Sequence, residues 1–183
     1  MLRLIATLAA CSVSLCSAAF GPTDLSGHPI DPFASPARVR VLLFVRTDCP
    51  ITQRYAPELQ RLSGEFAQQP VAFWLIFPDP SETSPHIAAN VRDYRFPGTP
   101  VLDPRHVLVK RAHAAIAPEA AVFDRGGRLL YHGRIDDRYV DIGKTRPAPS
   151  VHDLEEAISA TLAGRAVAVS ETHAVGCSLA DVE

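Results

Sequence analysis

Cys49 is the residue in this sequence that is best placed to do chemistry. It follows an apolar run, residues 41–45, which is typical of a strand buried on both faces of a sheet. It precedes a segment with helical spacing, in which Ile51, Tyr55 and Leu59 fall on one face. A thiol at such a junction meets free backbone N–H groups and the positive end of the helix dipole, which favour the nucleophilic thiolate. We therefore predict a reactive thiol; the alternative is a small buried apolar residue at a turn.

The first 19 residues have the features of a bacterial export signal. Arg3 supplies a positive charge, an apolar stretch follows, and small residues end at Ala19. The apolar stretch is shorter than the roughly 20 residues that a membrane-spanning helix needs. Cys11 ends a Leu-Ala-Ala-Cys segment, so a lipid anchor there is the alternative to cleavage after Ala19. The expected location is the periplasm or the cell envelope.

Cleavage of this leader would leave two of the four cysteines, Cys49 and Cys177. A thiolate that attacks a disulfide forms a mixed disulfide, and one that attacks a peroxide forms a sulfenic acid. Either product needs a second thiol, and Cys177 is the candidate within the processed chain. It lies in a tail, residues 165–183, which we expect to be flexible enough to reach Cys49, with Gly176 relaxing the backbone. Three states of Cys177 stay open: a resolving thiol, a static disulfide with Cys49, or an unpaired thiol.

The remaining pattern predicts the elements that hold this thiol. Residues 20–37 read as an extended lead-in and residues 38–164 as one domain. Strands alternate with helices and close in an antiparallel hairpin, which predicts an α/β fold: a mixed central sheet flanked by helices on both faces. The predicted strands lie at 41–45, 71–77, 100–103, 119–124 and 128–134, and a loop follows at 135–150. The predicted helices begin at 51, with a kink at Pro57, and lie at 84–94, 105–115 and 151–162. Ser84 and Ser150 are the expected N-caps of the second and the last helix, and Gly164 is expected to end the last one.

The charge of the chain limits the classes of binding partner that we expect. A net charge of −2 gives no reason to expect binding to nucleic acid or to an anionic membrane surface. Charge is concentrated in one segment of the 135–150 loop, which could dock a partner or hold the tail by ion pairs. The alternative is an internally paired loop, because exposed ion pairs contribute only about 0–1 kcal/mol each. The charged residues of that segment are Asp136, Asp137, Arg138, Asp141 and Lys144.

The order of these elements, with Cys49 at a strand–helix junction, resembles the thioredoxin fold. More narrowly, it resembles the redoxin group, which includes peroxiredoxin-like and exported thioredoxin-like proteins. Residues 49–52, Cys-Pro-Ile-Thr, occupy the place of the family's CxxC motif, and Pro57 matches its helix-kinking proline. Ala117-Pro118 falls where the family keeps a cis-proline facing the active-site sulfur, and residues 123–136 resemble its terminal hairpin. The resemblance covers residues 25–165.

This resemblance implies a thiol-based oxidoreductase without a metal or another cofactor. Its expected partners are protein thiols and disulfides or small peroxides, with an external thiol as reductant. Thr52 takes the second cysteine position of the motif, so a disulfide cannot form within it. The peroxiredoxin pattern has threonine or serine where this chain has Arg46. The predicted catalytic residues are Cys49, Thr52, Pro118 and Cys177, and the predicted substrate contacts are Arg46, Pro50 and Ala117.

Two other functions are compatible with the same residues. Exported thioredoxin-fold copper-delivery proteins of the SCO type use two cysteines in CxxxC spacing and a distant histidine. Cys49, Cys177 and His173 would form the corresponding ligand set, although the CxxxC spacing is absent. The second alternative is a non-catalytic module that docks partners through the charged loop; it predicts a Cys49 pKa near the free value of about 8.5.

Overall fold

A five-stranded mixed sheet runs through the centre of residues 21–179, which are the residues that the computed structural model describes. The leader, with Arg3, Cys11 and the expected cleavage after Ala19, therefore lies outside the described residues. Along the chain the elements are a 3-10 turn (Pro32–Ala34), β1 (Val39–Phe44), α1 (Pro50–Glu65), β2 (Val71–Phe77), α2 (Ser84–Tyr94), β3 (Thr99–Leu102), α3 (Val107–Ala112), β4 (Ile116–Ala117), β5 (Glu119–Asp124), β6 (Leu129–Gly133), β7 (Tyr139–Asp141), β8 (Lys144–Thr145), α4 (Asp153–Leu162) and β9 (Cys177–Ser178). Within the described range, no helix combines the length and the apolar character needed to cross a membrane.

The sheet has the strand order β3-β2-β1-β5-β6, with β1 at its centre. β1, β2 and β3 are parallel, whereas β5 is antiparallel to β1 and to β6. Val41 and Leu43 pack in one core with residues of α1, α2 and α4, and Leu42 and Phe44 pack in a second core with residues of α3. Helices therefore cover both faces, which explains why all six residues of β1 are buried. The predicted α/β class and mixed sheet are confirmed.

Two helices have N-cap residues that differ from the predicted ones. α2 spans the predicted residues, but its N-cap is Thr83 rather than Ser84. α4 begins at Asp153, and Ser150 does not cap it. The backbone N–H and hydroxyl of Ser150 instead donate to the Asp137 carboxylate, at 2.6 and 2.5 Å. Because the Ser150 hydroxyl donates to Asp137, it does not cap the N-terminus of α4.

α3 is shorter than predicted at both ends. The buried carboxylate of Asp103 accepts hydrogen bonds from the backbone N–H groups of Val107, Leu108 and Val109, at 2.8 to 3.0 Å. This carboxylate satisfies the free donors of the first turn, so the helix begins at residue 107 rather than 105. His113 adopts a left-handed backbone conformation (φ 57°) and ends the helix after Ala112.

The charged loop at 135–150 contains the hairpin of β7 and β8 and is internally paired. Asp136, which is 1% exposed, accepts hydrogen bonds from the Tyr55 hydroxyl at 2.6 Å and from the Arg138 backbone N–H at 2.9 Å. Asp137 accepts from Ser150 and from the backbone N–H of Val151. The two acids thus connect the loop to α1 and to the start of α4. The structure favours the internally paired loop over a docking surface at these two positions.

The tail is docked along the domain as far as residue 179, and it brings Cys177 to Cys49. His132 donates its backbone N–H to Ser170 O, and Thr172 donates its own to His132 O. The Thr172 hydroxyl lies against Gly133 (φ 139°), where a Cβ would overlap it. Farther along, β9 pairs with β4, and the backbone N–H of Leu179 donates to Ala115 O at 2.9 Å. Backbone hydrogen bonds therefore hold the tail at residues 170–172 and at residues 177–179.

Candidate active site

Cys49 is the N-cap residue of α1 and is 0% exposed. Pro50 takes the first helical position, where a missing backbone N–H costs no helix hydrogen bond. Thr52 follows on the first turn with 1% exposure. The Cys49 sulfur therefore lies beside the free N–H groups of a helix N-terminus, as the sequence pattern predicts.

The turn between β1 and Cys49 is held by three side chains, one each from α1, from α2 and from the turn after β2. The backbone N–H and the hydroxyl of Thr47 both donate to Glu82 Oε1, at 2.7 Å each. The Thr47 carbonyl accepts hydrogen bonds from the side-chain amides of Gln53 and Asn90. Burial raises the pKa of Glu82. Sequence reasoning missed Glu82, because it comes from the turn after β2 and carries no local signal of this contact.

The second cysteine lies beside the first. Cys177 Sγ is 2.6 Å from Cys49 Sγ, close enough for the two sulfurs to join as a disulfide. The Cys49 thiol donates to the Ala117 carbonyl at 3.2 Å, and the peptide bond between Ala117 and Pro118 is cis. Ala117 faces Cys177 across the antiparallel pair of β4 and β9. The structure therefore brings together Cys49, Thr52, Ala117, Pro118 and Cys177, which the sequence places up to 128 positions apart.

Arg46 contacts the tail. Its Nη1 donates to the Ser178 carbonyl at 3.2 Å, and its guanidinium pairs with Asp48 at 2.9 Å and with Asp79 at 3.3 Å. The Ser178 carbonyl belongs to β9, so Arg46 links the turn before Cys49 to the strand that carries Cys177. A substrate contact by Arg46 would first require this bond to Ser178 to open.

Glu119 is a second residue of the site that sequence reasoning missed. It is buried at the start of β5, and its Oε2 accepts hydrogen bonds from the backbone N–H groups of Ala115 and Ile116, at 2.8 and 3.0 Å. Its Oε1 lies 3.4 Å from Nδ1 of His132. The carboxylate thereby fixes the segment that leads into Ala117. The sequence does carry one signal of this role: Glu119 is an acidic residue directly after Pro118 and at the start of an apolar strand.

The two thiols have opposite acidities. Burial opposes ionisation of Cys49, but the Cys177 thiol, the Thr52 hydroxyl and N–H, and the Ile51 N–H outweigh it, so the pKa of Cys49 is lowered. The Thr52 hydroxyl is buried without a partner among the described residues, which leaves it available to the thiolate. Burial and the adjacent Cys49 raise the pKa of Cys177 to about 12. Of the two thiols, Cys49 is therefore the one that loses its proton at the lower pH.

We expect the reduced chain to show one thiolate whose titration midpoint lies below the ordinary cysteine value of about 8.5. A lowered pKa means that Cys49 is ionised at a pH where a free thiol is still protonated, whereas Cys177 stays protonated up to about pH 12. Ultraviolet absorbance of the thiolate measures this in a chain with Cys11→Ser and Cys16→Ser. Thr52→Val should raise the midpoint, and Thr99→Val, at an exposed position of β3, should not. A midpoint at or above 8.5 in the parent chain would contradict the assignment.

Among the described residues, Cys49, Cys177 and His173 do not form a cluster of metal ligands. His173 is exposed and lines an open pocket together with His132. Among residues 21–179, one group of three candidate ligands has its atoms within 4.8 Å of one another, and it contains neither cysteine: Glu58, His152 and Glu155.

Comparisons with known proteins agree with this geometry. No protein-family model and no curated protein matches the sequence. Among solved structures, a hypothetical protein of Sinorhizobium meliloti 1021 is 26% identical, with a TM-score of 0.72 over 88% of this chain and 90% of that one. A secreted disulfide oxidoreductase of Mycobacterium tuberculosis is 20% identical, with a TM-score of 0.53 over 79% of this chain and 95% of that one. A thioredoxin-like protein of Aeropyrum pernix is 17% identical, with a TM-score of 0.54 over 80% and 89%. The chain has the thioredoxin-like fold.

Proposed function

We propose that this protein is a thiol–disulfide oxidoreductase in which Cys49 is the nucleophile and Cys177 is the second thiol of the redox pair. The observation that supports this most directly is the 2.6 Å distance between the two sulfurs at the N-terminus of α1. The solved structures with this fold include a secreted disulfide oxidoreductase, which fits the same activity. The lowered pKa of Cys49 supplies the reactive thiolate.

The reaction proceeds by two exchanges. The Cys49 thiolate attacks one sulfur of a substrate disulfide, which forms a mixed disulfide and releases the other substrate sulfur as a thiolate. Cys177 then loses its proton and attacks the Cys49 sulfur, which forms the Cys49–Cys177 disulfide and releases the second substrate thiol. The substrate gains two electrons and the protein loses two. An external dithiol reductant returns the protein to the reduced state by the same steps in reverse.

The raised pKa of Cys177 suits its part in the second exchange. A thiol with a pKa of about 12 is almost fully protonated at neutral pH and does not compete with Cys49 for the substrate. Once Cys49 is in a mixed disulfide, its negative charge is lost and with it one cause of the raised pKa of Cys177. The order of the two attacks is therefore fixed by their acidities.

A peptide disulfide fits the site better than a small peroxide. Ala117 presents the edge of a short strand directly beside Cys49, and strand pairing is how extended peptides are recognised at such edges. Burial of Cys49 at 0% exposure under β9 means that a substrate reaches the sulfur only after the tail moves. Peroxide reduction needs no strand edge, so this feature favours a disulfide substrate.

Intact-mass measurement of the protein as it is exported tests the proposal. Oxidation should lower the mass by two hydrogens, and peptide mapping should find a bond between Cys49 and Cys177 that a dithiol reverses. The same spectrum reports the first residue, for which we propose Phe20, with cleavage after Ala19. A lipidated Cys11 would contradict the cleavage alone. Failure of oxidation to join the two thiols would contradict the redox pair.

A further inference from the structure

Gly176 permits an unusually close approach between the tail and Ala117. A Cβ at residue 176 would lie 2.7 Å from the Ala117 carbonyl carbon, closer still to the carbonyl oxygen, and 2.9 Å from a methyl carbon of Ile116. The contacted atoms are mostly backbone, which cannot move aside as a flexible side chain can. Any larger residue before Cys177 would therefore separate β9 from β4. The residue before the reacting cysteine has to be glycine for the strand to fit here.

The tail occupies the position beside Ala117 that a substrate strand would take. Ala117 is paired with Cys177, and the neighbouring Ile116 is paired with Ser178. The Cys177 sulfur lies 2.6 Å from Cys49, where the sulfur of a substrate cysteine must come during exchange. The tail thus shows, within one chain, how an extended segment and its cysteine fit against the active site.

The tail is held there by contacts that do not involve sulfur. Arg46 donates to the Ser178 carbonyl, Leu179 donates its backbone N–H to Ala115 O, and the Leu179 side chain is 6% exposed in the second core. None of these contacts needs a bond between Cys49 and Cys177. An external strand therefore has to displace the tail whether or not the two sulfurs are joined.

We propose that residues 174–179 are an internal ligand of the peptide groove formed by Cys49 and Ala117. The groove selects extended segments in which glycine directly precedes the reacting cysteine. The substrate class is thus a protein with an exposed Gly-Cys segment in a mixed or intramolecular disulfide. This inference rests on the proposed function. It adds that the tail and the substrate compete for one groove, and that the groove requires glycine before the reacting cysteine.

Two probes on one full-length chain test the selectivity. The chain carries Gly176→Val to displace the tail and Cys11→Ser, Cys16→Ser and Cys177→Ser to leave Cys49 as its single thiol. The probes are the peptides Ala-Val-Gly-Cys-Ser-Leu and Ala-Val-Val-Cys-Ser-Leu, each with its cysteine in a mixed disulfide with a chromogenic aryl thiol. Attack by Cys49 joins the peptide to the protein and releases the aryl thiolate, whose absorbance gives the rate. The glycine peptide should react at least about tenfold faster, because the valine peptide cannot approach Ala117.

A third probe, the same mixed disulfide of N-acetylcysteine, separates the two proposals because it has no strand to pair. It should react faster, by about tenfold or more, in the Gly176→Val chain than in the chain with Gly176, since the tail no longer covers Cys49. Gly21→Val is the matched control, because a Cβ there meets nothing within 4 Å. If Gly176→Val unfolds the chain, the two peptides are compared on the chain with Gly176, in which they must displace the tail.

The outcomes differ for the two proposals. Equal rates for the glycine and valine peptides, with a reactive N-acetylcysteine probe, would overturn the selectivity and leave the proposed function intact. An N-acetylcysteine rate that Gly176→Val does not raise would overturn the tail as an internal ligand. A folded chain whose Cys49 reacts with none of the three probes would overturn the proposed function itself.

Discussion

Replacing Cys49 with serine should lower the rate of disulfide reduction by at least about 1,000-fold, which corresponds to about 4 kcal/mol of activation free energy. The reason is chemical: the pKa of the Cys49 thiol is lowered by Cys177 and by the first turn of α1, which favours the nucleophilic thiolate, whereas a serine hydroxyl stays protonated there. The measurement is turnover of a protein disulfide in the presence of an external dithiol. The double variant Cys11→Ser, Cys16→Ser is the matched control and should keep the activity of the parent, because both residues lie in the segment that we expect to be cleaved.

Loss of folding would not explain the expected result for Cys49→Ser. The contacts that hold β9 beside β4 are mainly backbone hydrogen bonds and the burial of Leu179, and all of them remain in the variant. Its circular dichroism and thermal unfolding should therefore match those of the reduced parent. Turnover within about tenfold of the parent, in a chain that folds normally, would contradict Cys49 as the nucleophile.

Replacing Cys177 with serine should stop the reaction after the first exchange. The Cys49 thiolate can still attack a substrate disulfide, but residue 177, which lies beside Cys49 when the tail is docked, no longer supplies a thiol to attack the mixed disulfide. We expect a single equivalent of product followed by a rate reduced by at least about 100-fold, and a mixed disulfide on Cys49 visible by mass spectrometry. A large excess of a small external thiol should restore part of the turnover, because it takes over the second attack.

A matched control for Cys177→Ser is Ser178→Ala, one residue along the same strand. The Arg46 contact in β9 is to the Ser178 carbonyl and not to its hydroxyl, so this variant keeps the tail in place. It should turn over like the parent. Continued turnover of Cys177→Ser at the parent rate, without a trapped mixed disulfide, would show that Cys177 does not resolve the reaction.

The sheet was predictable because its strands are marked by local composition. The apolar runs at 41–45 and 71–77 and the Gly-Gly turn before β6 each identify their element without help from the rest of the chain. The helix ends were less predictable, because they depend on single side-chain hydrogen bonds from residues outside the helices. Asp103 fixes the start of α3 from the end of β3, and Asp137 takes the Ser150 hydroxyl that was expected to cap α4. A hydrogen bond between loops leaves no periodic signal in the sequence.

The site was predictable to the same extent. The position of Cys49 follows from its flanking pattern, and the cis peptide bond before Pro118 was implied by the resemblance. The position of the tail was not predictable, because residues 165–179 have little regular structure of their own and depend on hydrogen bonds to His132 and Ala115. Glu82 and Glu119 were missed for a related reason. Each fixes a backbone segment through a carboxylate, which only the assembled fold shows.

The burial of Leu179 also bears on how this protein should be produced. A bulky insertion placed directly after Leu179 would disturb a side chain that packs in the second core. An affinity tag at the amino end would be lost if the leader is removed as expected. The tip of the β7–β8 hairpin is a better place for a tag, because Ile142 is 76% exposed and Gly143 has open space around it.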